Sequence, residues 1–124
     1  MAQTPNIQIL YNDTCGICAR EMDSYAREAA RIGADMQFCP LSTADRFGLD
    51  PDTAARRLHV LQNGQLIAGI DAFIAIWAEL PRLAWLAKIA RLPWVHKMMG
   101  AVYDHILAPI IYRRHLGRIR RAAR

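Results

Sequence analysis

Ile7-Gln8-Ile9-Leu10-Tyr11-Asn12-Asp13-Thr14-Cys15-Gly16-Ile17-Cys18 is the stretch from which the rest of the chain is read. Its first five residues are apolar-rich, with β-branched and aromatic members, between Pro5-Asn6 and Asn12-Asp13-Thr14, and they read as a short strand. Downstream, Cys18, Met22, Tyr25, Ala29 and Ile32 recur at helical spacings, while Arg20, Arg27, Glu28 and Arg31 fall elsewhere around the wheel. This predicts an amphipathic helix, with Asp13 or Thr14 as its cap and Gly33 as its stop. Met36 to Leu41 reads as a second strand, and a strand, helix, strand order of this length makes a right-handed crossover with the strands parallel.

Beyond that unit, Ser42 to Arg57 mixes Gly48 and Asp50-Pro51 with a short helical stretch from Asp52, and is expected to be a connector with one or two helical turns. Leu58-His59-Val60-Leu61 and Leu66-Ile67-Ala68 flank Gln62-Asn63-Gly64-Gln65. Asn-Gly between apolar runs is the strongest short-range hairpin signal, so these are antiparallel strands three and four. Phe73, Ile74, Trp77 and Leu80 mark a helix from Ile70 that Pro81 ends. Leu83, Leu86 and Ile89, then Val95, Met98, Met99, Val102, Ile106 and Ile110, suggest two more amphipathic helices separated at Pro93. The apolar side of the last is expected to rest on the protein's own sheet or neighbouring helices.

The 124 residues suit one compact domain, 1–124, and 53% hydrophobic with 22% charged residues is a globular balance, unlike a disordered or collagen-like chain. No uninterrupted apolar run reaches about 18 residues, and Met1 to Asn6 has neither a basic n-region nor an apolar h-region. Three cysteines are too few for a disulfide-stapled secreted domain. The expected location is the cytoplasm, with a peripheral membrane position open. The net charge of +5 is unevenly spread: up to Pro81 six arginines meet ten Asp or Glu, net −4, whereas from Arg82 to Arg124 ten Lys or Arg meet one Asp, net +9. Residues 82–124 thus form a basic helical extension. Its six arginines from Arg113 to Arg124 are expected to be a solvated end, or to hold the chain weakly at an anionic membrane surface. Nucleic acid is disfavoured, since no reading motif accompanies the charge. On this reading, deleting Arg113 to Arg124 leaves Cys15 reactivity unchanged.

Cys15-Gly16-Ile17-Cys18 opens the first helix. A thiolate there is stabilised by unpaired backbone N–H groups and by the helix dipole, which lowers its pKa from the free value of about 8.5. The spacing lets the second sulfur attack a mixed disulfide formed on the first, so Cys15 is the nucleophile and Cys18 the resolving thiol. The alternatives are a pair of buried thiols or half of a zinc site. Zinc needs four ligands, and only Cys39 and the scattered His59, His96, His105 and His115 remain. Asp13 is placed either to accept a proton from a thiol or to cap the helix. Cys39, near the end of the second strand, is a core residue or a third redox thiol. His59 lines the site or is a strand histidine satisfied by solvent or backbone, and Trp77, Trp85 and Trp94 are expected to pack in the core.

Tyr11-Asn12-Asp13-Thr14-Cys15-Gly16-Ile17-Cys18 resembles the Tyr-Asp-Gly-x-Cys-x-x-Cys signature of the DCC family of thiol-disulfide oxidoreductases, a branch of the thioredoxin-like fold. Gly69-Ile70-Asp71-Ala72-Phe73 resembles that family's Gly-x-x-Ala segment, and Tyr112-Arg113-Arg114 loosely resembles its carboxyl region. The resemblance implies an α/β thioredoxin-like domain with a four-stranded mixed sheet of order 2-1-3-4, flanking helices and a carboxyl-terminal helical extension. It also implies dithiol–disulfide exchange through Cys15 and Cys18 on protein or low-molecular-weight thiols, without a bound cofactor. The signature's Asp-Gly is Asn12-Asp13 here, which shifts the acidic group by one position. Glutaredoxin-like relatives carry a cis-proline just before the third strand, where this chain has Leu58. A glutathione-dependent, glutaredoxin-like enzyme and a non-catalytic binding module on the same scaffold are the rival readings.

Overall fold

The computed structural model describes residues 7–122. Strand β1 (Ile7–Leu10) leads into helix α1 (Gly16–Ile32), then β2 (Met36–Cys39), a 3-10 segment (Leu41–Phe47) and α2 (Pro51–Arg56). The hairpin β3 (His59–Gln62) and β4 (Gln65–Ala68) follows, then α3 (Ile70–Glu79), α4 (Ala84–Ala90), α5 (Pro93–Val102), a π-helical turn (Tyr103–Leu107) and α6 (Ala108–Ala122). The sheet order is β2-β1-β3-β4, with β1 and β2 parallel and the other pairs antiparallel. This is the α/β architecture that the strand patterns and the resemblance imply. At the hairpin tip Asn63 (φ +53) and Gly64 (φ +76) both take the left-handed conformation that a two-residue turn of the primed type requires.

Both faces of the sheet are covered. Ile7, Ile9, Leu58 and Val60 pack against Met22, Tyr25 and Ala29 of α1 and Ala72 and Ile76 of α3. On the opposite face Leu10 and Cys39 meet Leu41, Ala44 and Phe47 of the 3-10 segment and Ala54 and Ala55 of α2, with Tyr112 of α6 closing over them. Strand alternation divides β1 between the two cores, and the strand is pinned in register because a slip by one residue would exchange its faces. The connector from Leu41 to Arg56 is more ordered than its turn residues suggest. Helix α2 starts at Pro51, one residue before the expected Asp52, and Asp50 caps it, accepting the Thr53 N–H at 2.7 Å.

The start of α1 and the course of the last helices differ from the sequence expectation. Cys15, not Asp13 or Thr14, is the N-cap of α1, its Sγ accepting the Cys18 N–H at 3.4 Å. Asn12 takes over the turn before it: Asn12 Oδ1 accepts the Thr14 N–H at 3.1 Å and its carbonyl accepts the Cys15 N–H at 3.2 Å. Asp13 instead accepts the Leu41 N–H at 2.9 Å, tying the β1–α1 loop to the segment that follows β2.

Near the carboxyl end, α5, the π turn and α6 follow one another directly. A π turn holds one residue more than an α turn, which rotates everything beyond it by about 100°. The apolar series from Val95 to Ile110 does not share one covered side, and the split already begins on α5, ahead of the π turn. Val95, Tyr103 and Ala108 are buried, whereas Met98, Val102, Ile106 and Ile110 are exposed, contrary to the expectation that the fold covers them.

Candidate active site

The β1–α1 loop sets the geometry. Because α1 begins at Gly16, the Cys15 sulfur faces the amino-terminal N–H groups of a seventeen-residue helix, where the macrodipole favours negative charge. Cys15 is 4% exposed and Cys18 is half-buried; both, and Cys39, are free thiols. Burial works against ionisation of Cys15. Hydrogen bonds from the Cys18 thiol and from the backbone N–H groups of Cys18 and Ile17, together with the Arg118 guanidinium, outweigh it and hold the thiol below the ordinary cysteine range. Burial first, and then the hydrogen bond to Cys15 and its charge, push Cys18 up to about 12. The two thiols are thus driven apart: one is poised to ionise and its neighbour holds its proton.

Arg118 comes from α6, whose arginines were expected to form a solvated end. Arg113, Arg114, Arg120 and Arg121 are exposed as expected, but Arg118 turns inward. Its Nη2 lies 3.5 Å from Thr14 Oγ1, and its Nε is buried with no hydrogen-bond partner among the described residues. One turn earlier, His115 is buried against Asn12, with Asn12 Nδ2 3.2 Å from His115 Nδ1. The Asn12 side-chain oxygen is already committed to Thr14, so its amide N–H₂ is the group that faces the imidazole, and His115 Nδ1 must accept. Accepting requires a neutral ring, and burial, with Arg118 nearby, lowers the His115 pKa in the same sense. Tyr112 completes the clasp, donating its hydroxyl to Asp52 and lying under the Arg56 guanidinium at 4.5 Å. Neither Arg118 nor His115 carries a local sequence signal as a site residue, because each meets its partner across more than a hundred positions of chain.

The other sequence-flagged residues separate. Cys39 ends β2, buried beside Leu10 in the second core, and burial, only partly opposed by Arg46, raises its pKa. His59 is buried and pairs in register with Leu10 and Ala68; its Nδ1 finds no hydrogen-bond partner among the described residues, while the Arg57 backbone offers the ring a hydrogen bond. Burial lowers its pKa and favours the neutral ring. Leu58, at the position before β3, donates its N–H to the Tyr103 hydroxyl at 2.9 Å, and its carbonyl accepts from Gly69 at 3.0 Å. Trp77 packs beside the main core and donates its indole N–H to Tyr25 at 3.0 Å. Trp85 and Trp94 do not pack inside: they are 57% and 67% exposed. Among the described residues no group of three or more His, Cys, Asp or Glu side chains gathers as a metal site, and no helix is long and apolar enough to cross a membrane.

Beside Cys18 a cavity of about 500 Å³ opens between α1, α3 and the α5–α6 run. Ile17, Phe73, Met98, Val102 and Leu107 wall it, with Glu21, Arg56 and Arg57 the charged residues along it. Cys15 lies outside this lining, so the two sulfurs have different surroundings: Cys15 has Arg118 and the helix terminus, and Cys18 has an apolar groove.

A family model for DCC1-like thiol-disulfide oxidoreductases matches residues 9–116, from β1 into α6. The chain belongs to that family. The match takes in Cys15, Cys18 and His115 and stops short of Arg118. An uncharacterised chloroplastic protein of Arabidopsis thaliana is 27% identical over 107 residues, 82% of this chain and 50% of the relative. The chain thus spans half the length of that curated relative. No solved structure matches. For a DCC1-like chain, the pairing of an N-capping Cys15 with a neighbouring Cys18 on α1 is the feature in keeping with the redox chemistry of the family's name.

Proposed function

We propose that this chain is a dithiol–disulfide oxidoreductase in which Cys15 attacks and Cys18 resolves. The single observation carrying this reading is the Cys15 sulfur at the N-cap of α1, accepting the Cys18 N–H at 3.4 Å. In the reducing direction the Cys15 thiolate attacks one sulfur of a substrate disulfide, the S–S bond breaks, and the departing thiolate takes a proton. Cys18 then loses its proton and attacks the Cys15 sulfur of the mixed disulfide. The second substrate thiol leaves and a Cys15–Cys18 disulfide remains, so two electrons have passed to the substrate. The reverse sequence oxidises a substrate dithiol.

The raised pKa of Cys18 in the resting pair comes first from burial and then from the hydrogen bond to Cys15 and its charge; the last two disappear once Cys15 is in a mixed disulfide, which lowers the barrier to losing the Cys18 proton at the resolving step. Asp13 holds the loop through Leu41 and has an exposed carboxylate; Asp13→Asn keeps the acceptor for Leu41 while removing the basic oxygen that proton transfer would use. The apolar walls of the groove at Cys18 suit substrates with apolar groups beside the reacting sulfur.

Trapping tests the assignment. With Cys39→Ala as background, Cys18→Ser is expected to accumulate mixed disulfides on Cys15 from a disulfide peptide, whereas Cys15→Ser accumulates none on Cys18. Trapping on Cys18 alone contradicts the roles, and unaltered cellular function after loss of both thiols favours the binding-module reading.

A further inference from the structure

Between positions 85 and 98 the hairpin of α4 and α5 carries an apolar surface that no other part of the described chain covers. On α4, Trp85 and Ile89 stand one turn apart, opposite the buried Ala87 and Ala90 that seat the helix against Ile74 of α3. On α5, Trp94 and Met98 stand one turn apart, and Leu92 occupies the turn between the helices. All five are exposed. Lys88, Arg91 and Lys97 are interleaved with them, are exposed, and form no ion pair among the described residues. From Arg82 to Tyr103 the chain has four basic residues and no acidic one.

We propose that the α4–α5 hairpin is a docking surface for an anionic lipid bilayer, with Trp85, Ile89, Leu92 and Trp94 entering the interfacial layer and Lys88, Arg91 and Lys97 meeting the headgroups. Tryptophan favours the membrane interface because its ring is apolar while its N–H wants a polar partner. Short amphipathic helices with basic flanks lie in that layer without crossing it. Charge selects this occupant over a second copy of the chain, because two such hairpins face to face would bring like charges together. Met98 continues the series to Val102 at the groove beside Cys18, so docking brings the groove close to the lipid surface. The docking itself does not depend on the thiol chemistry.

The test uses the whole chain with vesicles of phosphatidylcholine alone or mixed with phosphatidylglycerol, read by co-sedimentation and tryptophan emission. Binding to the mixed vesicles with a blue-shifted emission is expected, and little binding to the neutral ones. Trp85→Ser with Trp94→Ser should weaken binding by roughly tenfold or more and abolish the shift. Lys88→Gln, Arg91→Gln and Lys97→Gln together should remove the preference for the anionic lipid, while Arg120→Gln with Arg121→Gln leaves binding in place. Cys15 alkylation measured on the same variants reports that they are folded. Absence of binding, equal binding to both vesicles, or binding lost in the Arg120 and Arg121 variant but kept in the tryptophan variant overturns the proposal. Self-association without a lipid-dependent shift also overturns it and assigns the surface to a second copy.

Discussion

Arg118 meets Thr14 across 104 positions of sequence. It brings a fixed positive charge to a thiol that burial alone would keep protonated. A guanidinium does not titrate near neutral pH, so its effect on Cys15 depends on position alone. Replacing it with glutamine is expected to move the half-point of Cys15 alkylation to higher pH and to slow alkylation several-fold at neutral pH. Arg118→Lys should restore most of the effect, since charge rather than the guanidinium fork is what acts. An unchanged profile in Arg118→Gln would leave α1 and its N–H groups to account for the lowered pKa by themselves. Cys15 and Cys18 were legible as a pair because their chemistry is local: a turn, a helix start and a two-residue spacing. Arg118 was not, because a run of six arginines gives no sign of which one the helix turns inward. The cap is hidden from the sequence for a related reason. Asp13 has the better capping chemistry, but its carboxylate is drawn to Leu41, twenty-eight positions away, and the sulfur that follows takes its place.

At the scale of elements, α6 is a clasp on the β1–α1 loop. His115 to Asn12 and Arg118 to Thr14 attach it to the loop, and Tyr112 to Asp52 anchors it on α2. The His115 contact requires a neutral ring. Its lowered folded pKa means that the contribution to stability is present above the ordinary histidine value of about 6.5 and is lost as pH falls through the folded value. Ending the chain after Tyr112 removes both His115 and Arg118 and separates two effects on Cys15. The half-point of alkylation is expected to rise, for want of the positive charge, while the limiting rate at high pH also rises, because a sulfur in a residue 4% exposed is uncovered. Reactivity unchanged at every pH is the outcome that an independent basic tail gives, and it contradicts the clasp. Helical periodicity placed an apolar series on one side of the last helix and implied such a tail. It carries no sign of the π turn at Tyr103–Leu107, which re-aims the helix and brings His115 and Arg118 onto the loop.

Over the whole molecule, sheet order and strand pairing followed from patterns that survive packing: alternation in β1 and β3, the Asn63-Gly64 turn, and a crossover helix of fixed hand. The carboxyl third was harder to read, because helix amphipathicity does not tell an apolar face that packs from one that stays outside. Trp77 donates to Tyr25 beside the core while Trp85 and Trp94 stand in solvent, and nothing in their spacing separates them. The fold thus gives the molecule two unlike surfaces near one dithiol, a basic clasp at Cys15 and an apolar groove at Cys18. On the proposed mechanism this asymmetry divides the labour between the sulfurs. Its most direct measurement is the pH dependence of iodoacetamide alkylation in Cys18→Ser and in Cys15→Ser, each with Cys39→Ala. Cys15 is expected to react with a half-point below the free-cysteine value of about 8.5 and to outpace Cys18 near neutral pH. Faster reaction of Cys18 near neutral pH, or a Cys15 half-point at or above the free value, contradicts it.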